Sequence, residues 1–546
     1  MTVRRIMGIE TEYGVVGVGD PWANPMLMSA QLVTAYAAAV GLGRARWDFH
    51  DEDPLNDARG FRLDRAAAHP SQLTDGDAGD AGDTGDAADP PQVWGTVTQR
   101  RRADEAGRGE LTSNVILPNG ARYYVDHAHP EYSGPEVTGP GDLVRWDRAG
   151  DEILLRSSRL LAQYPGLPPV ALYKNNTDGK GASYGTHENY LVDRGVPFAD
   201  IVSVLTPFLL SRPIFCGAGR VGLGQRGERA GFQLSQRADF IEAEVGLETT
   251  LRRPIINTRD EPHADPDRYR RLHVIVGDAN LVQPSTLLKA GTTSLVLWLL
   301  ETGGVPPELW NLHLADPVGA AGTISHDLTL TAAVPTTDGR ELTALEIQRI
   351  YLGAVRDRLA AEAARPGAPA TDPETAEVMR RWADVLDRLE VDVLSCARDV
   401  EWVAKYRLLE GMRTRDGLDW DSPRLAALDL QWSDLRPEKG IYHTLERAGA
   451  VEVLVTAEEA AAAISVAPED TRAYFRGECI RRYGDEIDSA NWDAVVFDLP
   501  GEENLHRIPM PEPHRGTRGH VHDLLTTSPT ATDLVAALRE ASDPGA

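Results

Sequence analysis

The chain has 546 residues, of which 42% are hydrophobic and 25% are charged, so it can bury a large domain beside a smaller one and is not fibrous or wholly disordered. Its formal net charge of -27 disfavours nucleic acid and anionic membranes as partners, because phosphate contact needs clustered Lys and Arg. Its three cysteines lack metal-type spacing and suit no disulfide framework, which indicates a reducing cytoplasm. The most apolar stretch, residues 295–300, is too short for a membrane span.

The first part of the chain predicts a strand, a helix and a hairpin. Residues 4–18 alternate as a strand does, and residues 29–40 follow as a helix. Residues 59–109 are rich in Asp, Gly and Ala with little apolar content, which predicts a flexible acidic insert. Residues 114–117 and 121–125 then predict a hairpin, because Asn-Gly between them supplies the positive φ angles of a tight turn.

The rest of the chain mixes strands and helices, which indicates an α+β fold. Strands are predicted at residues 170–173, 183–192, 232–236, 271–276 and 492–499. Helices are predicted at residues 141–162, 285–300 and 373–412, the last capped by Asp372. Because the helices shorten after residue 432, we predict a large domain over residues 1–432 and a small C-terminal domain with a flexible tail over residues 433–546.

Two acidic residues near the start of the chain suggest a metal site. Glu10 and Glu12 lie two residues apart in the first strand, so both carboxylates face the same way. Such a pair is costly in an apolar strand unless a cation compensates it, and oxygen ligands favour Mg²⁺ or Mn²⁺ over Zn²⁺. The alternative is a solvated strand face without a metal.

The second strand of the hairpin also contains candidate site residues. Arg122, Tyr124 and Asp126 share one face by the same period of two. Glu131 and Glu136 follow in a stretch rich in Pro and Gly, where turns can bring them back toward that face. The sequence therefore predicts a cation, a phenol and several carboxylates in one place.

Histidines give a weaker signal. His187 and Asn189 face the same way in a predicted strand, and His273 lies in another. Either histidine can instead be a hydrogen-bonded residue of the core. His127 and His129 form a pair that zinc could use, but no further Cys or His stands nearby.

Arginines are the remaining candidate site residues, because a planar guanidinium suits bidentate contact with phosphate. Arg237, Arg252, Arg253 and Arg259 stand near one another in the sequence. The chain has no phosphate-binding P-loop motif and no serine- or cysteine-centred hydrolase motif. A literal G-x-G-x-x-G at residues 217–222 precedes a polar segment that cannot open the crossover helix of a dinucleotide-binding fold.

Three motifs together resemble the Pup ligase/deamidase family of the carboxylate-amine ligase (glutamine-synthetase-like) superfamily. They are GIETEYG at residues 8–14, NGARYYVDHAHPEY at residues 119–132 and GTHENY at residues 185–190. The resemblance covers nearly the whole chain. It implies a large domain built on a curved antiparallel sheet that binds ATP and Mg²⁺ on its concave side, with a small C-terminal domain beside it.

The resemblance also implies roles for individual residues. Asp126 is expected to be the catalytic carboxylate, acting either as nucleophile or as general base. The expected metal ligands are Glu10, Glu12, Tyr124, Glu131, His187 and His273. The expected phosphate-binding arginines are Arg122, Arg237 and Arg259.

Residues 20–25, residues 126–129 and the acidic insert resemble the deamidase branch of the family. This implies a hydrolase that converts the C-terminal glutamine of Pup to glutamate and cleaves Pup from lysine, with ATP as a retained cofactor. Pup and pupylated proteins are the expected partners, with a link to the bacterial proteasome. The alternatives are an ATP-consuming Pup ligase and a non-enzymatic nucleotide-binding protein.

Overall fold

The computed structural model describes residues 3–20, 22–42, 45–50, 52–65, 68, 97–99, 112–368 and 370–542. Most of the predicted acidic insert and the end of the predicted tail lie outside these residues. The strands are β1 Met7–Glu12, β2 Gly14–Gly17, β3 Arg46–Trp47, β4 Asn56–Asp57, β5 Phe61–Arg62, β6 Val97–Gln99, β7 Asn114–Ile116, β8 Arg122–Asp126, β9 His129–Ser133, β10 Val170–Tyr173, β11 Thr186–Asp193, β12 Arg220–Leu223, β13 Arg229–Gln233, β14 Ala243–Gly246, β15 Pro254–Asn257, β16 Tyr269–Val274, β17 Ala333–Pro335, β18 Glu341–Thr343, β19 Ile487–Ala490, β20 Ala494–Phe497 and β21 Asn504–Pro509.

The helices are α1 Pro25–Val40, α2 Pro140–Leu161, α3 Phe198–Ser211, α4 Pro213–Cys216, α5 Gln283–Glu301, α6 Pro307–Trp310, α7 Pro317–His326, α8 Ala344–Ala363, α9 Pro373–Val391, α10 Glu401–Asp416, α11 Pro423–Trp432, α12 Ile441–Arg447, α13 Ala457–Ala463, α14 Ala473–Tyr483, α15 Arg518–Thr527 and α16 Ala531–Ser542. Short 3₁₀ helices span Ala238–Phe240 and Val393–Cys396. This mixture is the α+β architecture that the sequence predicts. Within the part of the chain that the structure covers, no helix has the length and apolar character needed to cross a bilayer.

Six strands form an antiparallel sheet in the order β16-β11-β1-β9-β8-β7. The predicted hairpin is confirmed as β7 and β8, and its turn contains Gly120 at a φ of 80°. Strand β1 lies inside the sheet with a partner on each side. Strands far apart in the sequence therefore contribute to one continuous surface.

The two faces of this sheet differ in burial. In β11 the residues that share a face with Glu188 and Tyr190 are buried, whereas His187 and Asn189 on the other face are partly exposed. The buried face packs against α2 and α5, and nearly every residue of α5 is buried. The open face is therefore the surface available to ligands.

One part of the hydrophobic core consists mainly of C-terminal residues. Most of its buried members lie between Tyr474 and Val535, and Trp47 and Ile116 join it from earlier in the chain. A five-stranded sheet in the order β3-β19-β20-β21-β6 lies over it. These residues support a small C-terminal unit, and the domain boundary at residue 433 stays a prediction.

Two predicted elements are divided in the structure. The strand predicted at residues 4–18 is split at Tyr13, because β1 pairs within the central sheet whereas β2 pairs with β10 elsewhere. The helix predicted over residues 373–412 ends at Val391, where the Asp392 side chain accepts a hydrogen bond from the backbone of Leu394 and starts a 3₁₀ turn. The predicted cap is confirmed, since the Asp372 side chain accepts from the backbone of Thr375.

Candidate active site

The antiparallel register brings the predicted site residues onto the open face. Glu10 lies opposite His187 of β11, and Glu12 lies opposite Glu131 of β9. Glu131 in turn lies opposite Tyr124 of β8. Because side chains opposite each other in a sheet point the same way, these residues line one surface. A tight turn after Asp126 folds the chain back, and pairing of β9 with β8 and β1 then fixes Glu131 on this surface.

Three carboxylates form one group, which we call the carboxylate group: Glu12, Asp126 and Glu131. One oxygen of each lies within 4.8 Å of the others. Burial and the charges of Asp126, Glu10 and Glu12 raise the pKa of Glu131 well above its usual value. A divalent cation would remove this repulsion, and an all-oxygen donor set fits Mg²⁺.

A second set, the histidine group, adjoins the first and consists of Glu10, His187 and His273, whose ligand atoms also lie within 4.8 Å of one another. Burial alone would raise the pKa of Glu10, but a hydrogen bond with His187 and the charges of His273, His187 and Arg271 outweigh it and lower the pKa far below its usual value. Burial, then Arg271 and His187, lower the pKa of His273 well below its usual value. The donor atoms of this group are an anionic carboxylate and imidazole nitrogens.

Asp126 is the last residue of β8, at the rim of the open face. A two-residue turn follows it, and His127 in this turn has a φ of 52°, a conformation that a non-glycine residue rarely adopts. The side chain of Asp126 is 36% exposed, and its Oδ2 lies 3.0 Å from Nδ1 of His127. Burial alone would raise the pKa of Asp126, but this hydrogen bond and the charges of His127, His187 and Arg122 lower it. Asp126 is therefore a reachable carboxylate, ionised at neutral pH.

Two of the predicted arginines flank the face. The guanidinium of Arg122 lies between aromatic rings, 3.8 Å from the ring centroid of Tyr124 and 4.1 Å from that of Trp47. Arg259 follows β15, and its Nε lies 3.7 Å from Oε2 of Glu261. Stacking holds the Arg122 guanidinium in one orientation.

The third predicted arginine, Arg237, is 2% exposed. Its guanidinium donates a hydrogen bond to the backbone oxygen of Tyr184. Its Nε has no hydrogen-bond partner in the described part of the chain. Burial and the nearby charge of Arg253 lower the pKa of Arg237 to about 10. A buried guanidinium with an unused donor favours binding of an anion.

A cavity of about 70 Å³ opens on the same face, beyond Glu10 and away from Asp126. Backbone of β1, the polar residue Arg271 and three residues that the sequence analysis did not single out line it: His263, Arg472 and Trp492. His263 has a φ of 46°, an uncommon backbone conformation that clusters at functional sites. Nothing in the sequence around these residues indicates a site.

Glu136 does not join the face cluster as predicted, because its carboxylate accepts hydrogen bonds from Arg472 and Arg476. Asn189 was placed on the face of His187 by its spacing, and the structure shows that it contacts both Glu10 and His273. The roles assigned to the ten predicted site residues stay predictions.

Comparison with known proteins places the chain in a family. The profile described as "Pup-ligase protein" matches residues 5–496. A Pup deamidase/depupylase of Mycobacterium tuberculosis is 52% identical over 542 residues, which cover 98% of this chain and 99% of the relative. A depupylase of Acidothermus cellulolyticus is 50% identical over the same shares. A Pup–protein ligase of Xylanimonas cellulosilytica is 44% identical over 420 residues, 76% of this chain and 90% of the relative.

Solved structures give the same result. The Pup ligase PafA in complex with Pup is similar at 30% identity and a TM-score of 0.74, covering 99% of this chain and 95% of that one. PafA in complex with ADP is similar at 33% identity and a TM-score of 0.68, covering 83% of this chain and 99% of that one. These likenesses confirm the predicted fold class.

Proposed function

The chain belongs to the Pup-ligase protein family, and from this premise we propose that it is a Pup deamidase and depupylase. It converts the C-terminal glutamine of Pup to glutamate with release of ammonia, and it cleaves the isopeptide bond between Pup and lysine. It works in the cytoplasm, which agrees with its three free thiols, and it has a functional link to the bacterial proteasome. Two relatives at 50% identity or above carry the name of this activity over 98% of the chain, which favours it over ligation.

One observation carries the proposal: Glu12, Asp126 and Glu131 converge at the rim of an open face. Asp126 is ionised, so it can attack the amide carbonyl carbon directly or remove a proton from an attacking water. In the first case a carboxylate oxygen of Asp126 bonds to the carbonyl carbon, the carbon–nitrogen bond breaks, and the nitrogen leaves as ammonia with a proton from water. Hydroxide then adds to the anhydride, which releases glutamate and returns the Asp126 carboxylate. In the second case water attacks the amide in a single displacement. His127 orients the carboxylate in both cases.

Glu12 and Glu131, with Tyr124 beside them, are the residues that would hold Mg²⁺. When bound, Mg²⁺ would polarise the carbonyl and offset the charge that develops on its oxygen. Tyr124 forms a hydrogen bond to Glu131 and so fixes that carboxylate. These residues suit Mg²⁺ because Glu131 is buried beside the carboxylates of Asp126, Glu10 and Glu12, and a cation would offset their repulsion.

We place the nucleotide along β1. The cavity beside Trp492 takes the base, and the phosphates lie toward Glu12 and Arg237. The step from Gly8 to Glu12 is four residues, which corresponds to about 14 Å of strand and suits the length of a nucleotide. Arg122 and Arg259 flank this path. The likeness to the ADP complex supports a nucleotide in this family.

The experiment is to incubate the chain with Pup ending in glutamine, in the presence of ATP and Mg²⁺. A mass increase of about one dalton and free ammonia are expected, because an amide becomes an acid. Replacing Asp126 by Ala is expected to abolish both while ATP binding persists, whereas Asp267→Ala, an exposed loop aspartate, is the matched control. An active Asp126→Ala variant would refute the assignment. Formation of ADP in step with turnover would select the ligase instead.

A further inference from the structure

We propose that an exposed apolar surface beside Asp126 docks the lysine-bearing protein of a pupylated substrate. The inference rests on the proposed function, because it names a surface for one half of that substrate. Fourteen large hydrophobic residues are exposed among those that the structure describes, and five of them fall within twelve consecutive positions. These five form the surface, which we call the apolar rim patch: Val16, Val18, Trp22, Met26 and Leu27.

Hydrogen bonds hold the loop that carries Trp22. The Asp20 side chain accepts a hydrogen bond from the backbone of Trp22 at 3.1 Å, and its backbone oxygen accepts one from the backbone of Ala23 at 3.2 Å. The Asn24 side chain caps α1 by accepting from the backbone of Leu27 at 3.2 Å. Trp22 is nevertheless 90% exposed. Because the backbone is already ordered, a partner that covers this ring would lose little free energy in ordering the loop.

The patch adjoins the rim of the open face. Ser29 lies three residues after Met26, about one helical turn further along α1. Its hydroxyl is 2.9 Å from the backbone oxygen of Ala128, which belongs to the tight turn after Asp126. The exposed first turn of α1 is therefore a neighbour of the carboxylate that we propose acts on the amide.

A folded protein can approach Asp126 only from outside the rim. The side chain of Asp126 is 36% exposed, whereas Glu131, which lies further in, is buried. A lysine side chain is narrow enough to enter such a site, but the folded protein that carries it is not. That protein must rest on the surface around the rim, and the apolar rim patch forms the part of this surface that belongs to α1.

The chemistry of the patch suits partners that differ from one substrate to the next. Helix α1 contains no charged residue, although the whole chain has a net charge of -27. The acidic surface elsewhere repels acidic proteins, whereas an uncharged apolar patch accepts acidic and basic proteins alike. The flexible side chain of Met26 can adapt to differently shaped partners. Pup is the same in every substrate, and a surface for one fixed partner is expected to present matching polar and charged groups.

The test compares two substrates, Pup ending in glutamine and Pup joined to a lysine of a folded protein. With Trp22→Ser, the KM for the pupylated protein should rise about tenfold at unchanged kcat, because the lost contact is the same in the bound substrate and in the transition state. Deamidation of Pup should keep its KM and kcat. Val391→Ser, at an 87% exposed position that ends α9, is the matched control and should change neither reaction.

A second measurement does not depend on turnover. Trp22 is replaced by the photoreactive p-benzoylphenylalanine in a chain that also carries Asp126→Ala, so that the pupylated protein stays intact during irradiation. The cross-link should join the lysine-bearing protein. If the native chain releases no ammonia and cleaves no conjugate, the proposed function fails, but the cross-link still decides which molecule covers the patch.

A cross-link to Pup or to a second copy of the chain would overturn the inference. So would an equal rise of KM for both substrates, an equal rise in Val391→Ser, or an unchanged KM in both Trp22→Ser and Met26→Ser. Thermal unfolding of each variant is measured alongside, and Met26→Ser replaces Trp22→Ser if the latter has unfolded.

Discussion

Replacing Glu136 by Gln is expected to destabilise the chain by about 3 kcal/mol at neutral pH. The side chain of Glu136 is 12% exposed, and its carboxylate accepts hydrogen bonds from Nε of Arg472 at 2.8 Å and from Arg476. Burial alone would raise the pKa of Glu136, but the charges and hydrogen bonds of the two arginines lower it to about 2 from an ordinary 4.5. At about 1.36 kcal/mol per pH unit, this difference gives the expected loss.

The pH dependence of this stabilisation has a definite sign. Since the pKa of Glu136 is lower in the folded state, the unfolded chain binds more protons between about pH 2 and pH 4.5. The stabilisation is therefore complete above about pH 4.5 and is lost as the pH falls through about 2. At pH 3 the expected difference between the native chain and Glu136→Gln has shrunk to about 1 kcal/mol.

The assay is urea unfolding of the native chain and of Glu136→Gln, compared at pH 7 and at the lowest pH at which both remain folded. Glu377→Gln is the matched control, because the pKa of Glu377 is also lowered to about 2 by hydrogen bonds, first from Arg380, but its side chain is 41% exposed. Solvent screens that pair, so a loss below about 1 kcal/mol is expected. Equal losses in the two variants, or a Glu136→Gln loss that persists in acid, would refute the reasoning.

Replacing Gly185 by Ala would put a Cβ 2.3 Å from Nε2 of His187 and 2.8 Å from Oε1 of Glu12. The displaced side chains should lower metal affinity, measured by titration calorimetry, at least about tenfold. Unchanged affinity would contradict the proposed metal sites. Arg237→Lys keeps a positive charge but loses the planar guanidinium that can donate two parallel hydrogen bonds. ATP should therefore bind about tenfold more weakly in a competition assay with a fluorescent nucleotide. Arg356→Lys, at an exposed arginine, should leave ATP affinity unchanged. Chelation of divalent ions should stop ammonia release and added Mg²⁺ should restore it; release that survives chelation argues against a metal at the carboxylate group.

Much of the site could be predicted from the sequence because strand periodicity is local. A period of two is enough to place Glu10 with Glu12, Tyr124 with Asp126 and His187 with Asn189. Which strands lie side by side is decided by contacts between distant parts of the chain, and no local pattern contains that information. Glu131 shows the difference, since its place on the face comes from pairing with both β1 and β8.

Residues that act through tertiary contacts escaped prediction. Trp492 lines the cavity only because the C-terminal unit packs over β1, and the unusual φ of His263 depends on its surroundings. Glu136 was predicted on the face because turns can point a side chain in many directions, and two arginines more than 300 residues away decided its direction. The break after Val391 follows from one capping aspartate that the apolar periodicity does not reveal.

The order of the site residues along the chain bears on how the protein is synthesised. Every residue of the carboxylate group and of the histidine group is present once β16 has been made, at residue 274, but the cavity wall still needs Arg472 and Trp492. A product that ends between residues 274 and 472 would contain every residue of both groups but would lack one wall of the cavity.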